Sequence, residues 1–332
     1  MTQKAILVTG GAGYIGSHVV RQLGEAGGDV VVLDDLSTGF RRAILHGELV
    51  VGNTGDPRCL EDLFARFDID TVMHFAAHTI VPESVADPLK YYRNNTCASR
   101  TLLAHALRAG VRHVVFSSTA AVYGIPPDGR ASEDSPTAPI NPYGLSKLMT
   151  EWMLRDVAAV NPLRYVALRY FNVAGSDPEG RIGQCTPKAT LLTKVACEAA
   201  VGKRDYVSIF GTDYPTADGT GVRDYIHVED LADAHLKALE YLRAGGESET
   251  LNCGYGHGYS VREVLRMVEE IAGYPLNIKE VERRAGDPPT LVAEAGRIRE
   301  VLAWEPRLDD LAAIVASSLN WERKLAKGDW AS

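Results

Sequence analysis

Ala5-Ile6-Leu7-Val8-Thr9-Gly10-Gly11-Ala12-Gly13-Tyr14-Ile15-Gly16 is the stretch on which the fold turns. Four apolar residues in a row read as a strand buried on both faces, the pattern of a parallel sheet. The strand enters a glycine-rich turn, and a helix is predicted from about Ile15. Gly11, Gly13 and Gly16 fit GxGxxG, while Gly10, Gly13 and Gly16 fit the related GxxGxxG. In either register the missing side chains permit a tight turn and a close backbone approach to an anion at the helix N-terminus. A glycine-rich turn alone says little. Between a strand and a helix it reads as a cradle for a dinucleotide pyrophosphate.

The alternation repeats along the chain. Val30–Leu33, Leu49–Val51, Thr71–Phe75, His113–Phe116 and Tyr165–Leu168 read as further strands, with a helix around Pro57 to Phe67. β-branched runs separated by helices predict an α/β fold, a Rossmann-type doubly wound parallel sheet. After about Asn172 the alternation fails, Gly and Pro become frequent, and helices are predicted at Glu229–Leu242 and Ser260–Ala272. Residues 1–171 are expected to form an NAD-binding domain, with chain returning to it near 225–254. Residues 172–332 are expected to form mainly a smaller mixed α/β substrate-binding lobe. The second strand ends in Asp34-Asp35. A carboxylate there accepts from a ribose 2′-hydroxyl and repels a 2′-phosphate, which selects NAD over NADP.

Composition narrows the class. The chain has 332 residues and a formal net charge of -8, so the basic excess of a nucleic-acid binder is missing. The cysteines, Cys59, Cys97, Cys185, Cys197 and Cys253, are odd in number and form no CxxC pair. Neither a metal site nor a disulfide framework is expected. The first residues enter a strand pattern without a signal-peptide core, and no apolar run reaches membrane-spanning length. The expectation is a cytoplasmic protein with no nucleic-acid or membrane partner.

Asn141-Pro142-Tyr143-Gly144-Leu145-Ser146-Lys147 carries the chemistry. A helix starting at Pro142 puts Tyr143 and Lys147 on one face. A nearby positive charge favours the phenolate, and a phenolate can abstract a proton from an alcohol. Moving a phenol pKa from ~10 to near 7 requires ~4 kcal/mol of differential stabilisation. The fifth strand ends in Ser117-Ser118-Thr119-Ala120-Ala121. Ligands of doubly wound sheets lie beyond the carboxyl ends of strands, so Ser117 falls near the cofactor and Thr119 can offer a hydroxyl to a substrate oxygen.

With these motifs in place, the chain resembles the extended short-chain dehydrogenase/reductase superfamily, and within it the UDP-glucose 4-epimerase family. The resemblance rests on VTGGAGYIGSH, HFAA at 74–77, ESVADPLKYYRNN at 83–95, FSSTAAVYG at 116–124 and NPYGLSK. It continues through LRYFNVAG at 168–175, IFGTDYPTADGTGVRDYIHVEDLADAH at 209–235 and RRAGDPP at 283–289. It implies Tyr143 as base, Lys147 as its electrostatic partner and ribose ligand, and Thr119 beside the sugar 4-oxygen. It implies an NAD site at Gly10, Gly13, Tyr14, Ile15, Gly16, Asp34, Asp35, Leu36, Ser37, Thr38 and Gly39. That site continues through Asn53, Thr54, Phe75, Ala76, Ala77, Thr79, Asn94, Ser117 and Tyr170, with Tyr143 and Lys147. Thr119, Asn172, Phe210, Arg223, Arg284, Asp287 and Leu291 would hold the UDP-sugar. A homodimer through the helices after Glu83 and Tyr143 is also implied.

Three positions depart from the family pattern. Asn53 stands where an Asp is common, and Thr79 replaces a Lys of some members. Leu191, in the segment Cys185–Leu192, replaces an Asn or His, so no polar substrate contact is expected from it.

The implied reaction is NAD-dependent inversion of C4 of a UDP-hexose, UDP-glucose or UDP-galactose, through a 4-keto intermediate, within galactose metabolism. The related dTDP-glucose 4,6-dehydratases carry Asp-Glu after the Thr, and UDP-glucuronate decarboxylases a Glu at the second position. Ala120 and Ala121 stand there instead, which disfavours both. Two alternatives stay open. One is epimerisation of another UDP-sugar, UDP-GlcNAc, UDP-GalNAc or a UDP-pentose, because Leu291 is intermediate between the bulky and small family residues at the sugar pocket. The other is a non-enzymatic NAD-binding sensor, although such proteins typically lose the Tyr/Lys pair.

Overall fold

β1 (Ala5–Thr9) is buried along its whole length, as its uninterrupted apolar run requires. The computed structural model describes residues 4–186, 189–284 and 286–330. After β1 come α1 (Tyr14–Glu25), β2 (Val30–Asp34), β3 (Glu48–Val51), α2 (Pro57–Arg66) and β4 (Ile69–His74). Asp56 caps α2 by accepting from Arg58 N, with Pro57 in the first turn, where its missing N–H costs nothing. Next are α3 (Val81–Ala86), α4 (Pro88–Tyr91), a π-helical stretch Tyr92–Cys97, α5 (Ala98–Arg108) and β5 (His113–Thr119). Then follow β6 (Arg130–Ala131), α6 (Pro142–Ala158), β7 (Arg164–Tyr170), β8 (Asn172–Ala174) and α7 (Leu192–Ala200). The remaining elements are β9 (Val207–Phe210), β10 (Val222–Arg223), β11 (Tyr225–His227), α8 (Val228–Arg243), β12 (Glu249–Cys253) and β13 (Tyr259–Ser260). The chain ends through α9 (Val261–Ala272), β14 (Ile278–Val281), β15 (Thr290–Ala293), α10 (Gly296–Leu302) and α11 (Leu311–Ala326).

Seven strands form one parallel sheet in the order β12-β7-β5-β4-β1-β2-β3. The Rossmann-type doubly wound reading is borne out. The sheet divides two apolar cores. Ile6, Val8, Val30 and Val32 pack with Val19 and Val20 of α1 and Leu231 of α8, while Leu7, Val31 and Leu33 pack with Leu60 of α2 and Leu102 of α5. Alternate residues of each strand therefore serve opposite faces. Smaller sheets stand beside it, one ordered β13-β10-β15-β6 and two of paired strands, β11 with β8 and β14 with β9.

The six strands read from the sequence are all present, each within a few residues of its expected bounds. The seventh, β12, is an edge strand carrying Asn252. That side chain is spent inside the protein, accepting from Tyr123 Oη at 2.6 Å and donating to Ala131 O at 2.8 Å. Among the described residues, no helix is long and apolar enough to cross a membrane, and no group of three or more His, Cys, Asp or Glu is placed to hold a metal.

The interior holds His74, His227 and His235, all neutral because burial pushes their pKa values to about 3, 4 and 4. An unfolded imidazole titrates near ~6.5, so between that pH and the depressed values the unfolded chain binds more protons. The stability is whole above ~6.5 and declines as the pH falls toward 4. Thermal melts are expected to show Tm falling across that window, with a shallower slope for His235→Leu. An unchanged slope in that variant would show that His235 does not contribute.

Candidate active site

The strand order reverses on either side of β1, because β2 leaves on one side and β4 joins on the other. Crevices open at such a reversal, at the carboxyl ends of the strands. A cleft of about 870 Å³ lies there, inside the usual size range of small-molecule sites. Its floor is the glycine turn. Gly10 has φ +72°, and a Cβ on it would stand 2.6 Å from Ala76 N. A Cβ on Gly16 would collide with the carbonyl of Gly10. Only bare backbone closes this turn. Among the described residues α1 has no side-chain cap, so its first N–H groups are left for a ligand.

At the end of β2, Asp34 supports the turn. It accepts from Ala12 N at 2.9 Å and Leu36 N at 2.8 Å, while burial raises its pKa. Asp35 accepts from Ser37 N at 3.0 Å and from the Asn53 amide at 2.9 Å. Asn53 also accepts from Gly55 N at 2.8 Å. An Asp in its place would set two carboxylates against each other, so this departure from the family pattern is locally compensated. Gly10, Gly13, Tyr14, Ile15, Gly16, Asp34, Asp35, Ser37, Thr38, Asn53 and Thr54 all line the cleft. Phe75, Ala76, Ala77, Thr79, Asn94, Ser117 and Tyr170 continue the lining. Leu36 and Gly39 are not among the lining residues. Leu36 turns through φ +58°, and Gly39 packs against Ala12.

Thr119 and Tyr143 face the cleft together, from β5 and from the first turn of α6. Asn141 caps α6 by accepting from Gly144 N at 2.9 Å. Burial raises the Tyr143 pKa, and a hydrogen bond from Thr119 opposes the rise. Lys147 lies beneath the lining rather than in it. Its Nζ donates to Ser117 O at 2.7 Å and sits 5.0 Å from the centre of the Phe116 ring. Burial lowers its pKa to about 7. Lys147 was expected in the cofactor site as a ribose ligand and stands beneath the cleft lining instead, and the protein by itself does not deliver the expected lowered phenol. The desolvation of Tyr143 outweighs the hydrogen bond it receives.

The other end of the cleft is lined by Asn172, Arg223, Arg284, Asp287 and Leu291. Arg223 and Leu291 are register partners on β10 and β15. Among the described residues neither Arg223 nor Arg284 pairs with a carboxylate, and the Arg284 guanidinium lies 3.6 Å over the ring of Phe210. Phe210 is therefore a platform behind Arg284 and not part of the lining. Both arginines line this end of the cleft in an acidic protein, and guanidinium groups suit an anion such as a diphosphate.

Most residues of two lining segments were not singled out in the sequence, where only Thr79 and Leu191 were marked. His78, Ile80, Val81 and Pro82 follow the fourth strand, and Gln184, Thr186, Ala189, Thr190 and Leu191 precede α7. Pro187 and Lys188 in the second stretch, and Ala285 beside Arg284, lie outside the described residues. Asn95 was also unmarked. In the π-helical stretch, Asn94 faces the cleft while Asn95 donates to Ser146 Oγ and His78 O, each at 3.0 Å. This insertion lets neighbouring residues serve the cleft and the scaffold.

Residues 6–254 match the model of the NAD dependent epimerase/dehydratase family. The chain belongs to this family. A UDP-glucose 4-epimerase of Azospirillum brasilense is 59% identical over 321 residues, covering 96% of this chain and 92% of that protein. The crystal structure of UDP-glucose 4-epimerase from Brucella ovis in complex with NAD has a TM-score of 0.93 at 41% identity, covering 96% of this chain and 98% of that one. The structure of the UDP-Glc/GlcNAc 4-epimerase from Campylobacter jejuni has a TM-score of 0.85 at 47% identity, covering 97% and 99%. The cofactor of this family member is NAD. The bare glycine turn, the uncapped helix start and the acidic end of β2 fit it.

Proposed function

We propose that this enzyme interconverts UDP-glucose and UDP-galactose by oxidising C4 of the sugar and reducing the resulting 4-keto sugar on its opposite face. The observation that carries this reading is the end of β5. Thr119 hydrogen-bonds Tyr143 at the cleft, and the next two lining residues are Ala120 and Ala121. They offer no acid or base for elimination or decarboxylation, so the oxidised sugar has no exit but reduction.

Bound NAD supplies the acceptor and donor of the hydride, together with a positive charge that favours the phenolate. Tyr143 takes the proton of the 4-hydroxyl, directly or through Thr119, and returns it after the sugar has turned. Lys147 adds positive charge from beneath. Arg223 and Arg284 hold the diphosphate during the turn, which keeps the keto sugar from escaping. Leu291 borders the sugar without a polar group. The domain division follows the same logic, with residues 1–171 and a return near 225–254 serving NAD, and the rest mainly serving the UDP-sugar. The seventh sheet strand, β12, belongs to that returning segment. We place the enzyme in the cytoplasm and in galactose metabolism, in keeping with its unpaired cysteines.

The direct test is a panel of UDP-glucose, UDP-galactose, UDP-GlcNAc, UDP-GalNAc and a UDP-pentose at equal concentration, with both C4 epimers resolved. Conversion between UDP-glucose and UDP-galactose is expected. Turnover of another sugar alone would overturn the hexose assignment, and no turnover at all would favour an NAD-binding sensor.

We also propose a homodimer through α3, α4 and α6. Leu89 and Trp152 are 76% and 42% exposed on α4 and α6, which pack together with α3. Such an apolar patch on a monomer marks an association surface. Sedimentation is expected to give a dimer and Leu89→Asp a monomer; a monomeric wild-type protein would contradict the proposal.

A further inference from the structure

Tyr143, Lys147 and Glu151 are spaced four apart on α6, so one face of three successive turns carries all three. That face bonds to three successive residues at the end of β5. Tyr143 meets the Thr119 hydroxyl, Lys147 Nζ donates to Ser117 O at 2.7 Å, and Glu151 Oε1 accepts from Ser118 Oγ. Glu151 and Ser118 are buried. Behind Glu151 stands Arg169 of β7, whose Nε donates to Oε1 at 3.0 Å and whose Nη2 donates to Oε2 at 2.6 Å. Arg169 Nη1 then donates to Tyr123 Oη at 3.0 Å.

We propose that Glu151 is a positioning residue for the Tyr143–Lys147 pair, holding α6 in register with β5 and keeping the buried Lys147 charged. This inference rests on the reading of Tyr143 as base and Lys147 as its cationic partner. A buried ammonium is expensive without a counter-charge. The groups facing Lys147 are few. His74 of β4 is neutral, Phe116 of β5 offers only its ring face, and Tyr143 lies one turn back on α6. Arg169 of β7 adds positive charge behind Glu151. Glu151 is the carboxylate that opposes the effect of burial on Lys147. Burial lowers the Lys147 pKa to about 7 even with Glu151 opposing it, so losing Glu151 would shift the amine further toward its neutral form. The positive charge beneath Tyr143 would go with it. An ordinary structural ion pair between Glu151 and Arg169 would support the fold without governing Lys147.

The test is the titration of Lys147 itself, followed by the 13Cε resonance of labelled lysine in the holoenzyme and assigned with Lys147→Arg. Glu151→Gln keeps the shape and a hydrogen-bonding group. It is expected to move the Lys147 midpoint down by about one pH unit or more, as loss of a neighbouring opposite charge does. The alkaline limb of kcat should move down by the same amount. Arg169→Met supplies an independent arm, because it removes the competing cation and should move the midpoint up. A folded Glu151→Gln protein with a lowered Tm but an unmoved Lys147 midpoint would overturn the proposal, and so would an unmoved midpoint in Arg169→Met. The midpoint is read without turnover, so failure of the sugar panel would not be confused with failure here.

Discussion

The ammonium of Lys147, buried against the carbonyl of Ser117, is the interaction around which the site is organised. It joins the helix that carries Tyr143 to the strand that carries Thr119. Separating the two elements would leave that ammonium without its carbonyl partner, and an uncompensated buried charge costs several kcal/mol, on the order of 3–5. The same burial that fixes the geometry raises the phenol of Tyr143 and lowers the amine of Lys147. The protein alone thus holds the pair in place while leaving it short of activation. In the proposed reaction, positive charge brought by bound NAD would complete it, which would tie proton abstraction to the presence of the hydride acceptor.

The second constraint is topological. A parallel sheet buried on both faces leaves its strand ends as the place where polar groups can meet a ligand. The reversal at β1 makes room there, and Gly10 and Gly16 keep it clear. The chain from residue 172 onward adds Arg223, Arg284 and Leu291 at the far end of the same cleft. Residues from both halves of the sequence thus line one continuous space.

Much of this was legible in the sequence because it follows from local rules. Strands buried on both faces announce themselves as apolar runs, and glycine spacing reports backbone crowding directly. The Tyr143–Lys147 spacing gave the shared face. What escaped depends on tertiary packing. β12 is polar because Asn252 bonds Tyr123 and Ala131, partners 129 and 121 residues away. The lining residues His78 and Ile80, and Gln184, Thr186, Ala189 and Thr190, sit on irregular chain that has no period to read. The stacking of Phe210 under the Arg284 guanidinium was not visible in the spacing either. The direction of the Tyr143 shift escaped as well, since desolvation is a property of the assembled interior and not of spacing.

In the proposed reaction the outcome is selected by what is missing after Thr119. Ala120 and Ala121 bring no acid or base to the cleft, so the proposed base, cation and hydride acceptor would do no more than oxidise C4 and reduce it again. The hydrogen removed must then be the hydrogen returned. The most direct measurement is conversion of UDP-glucose deuterated at C4 in ordinary water, with the label in UDP-galactose located by mass spectrometry and NMR. Full retention of deuterium at C4 is the predicted result, and replacement of that deuterium by solvent hydrogen would contradict the account.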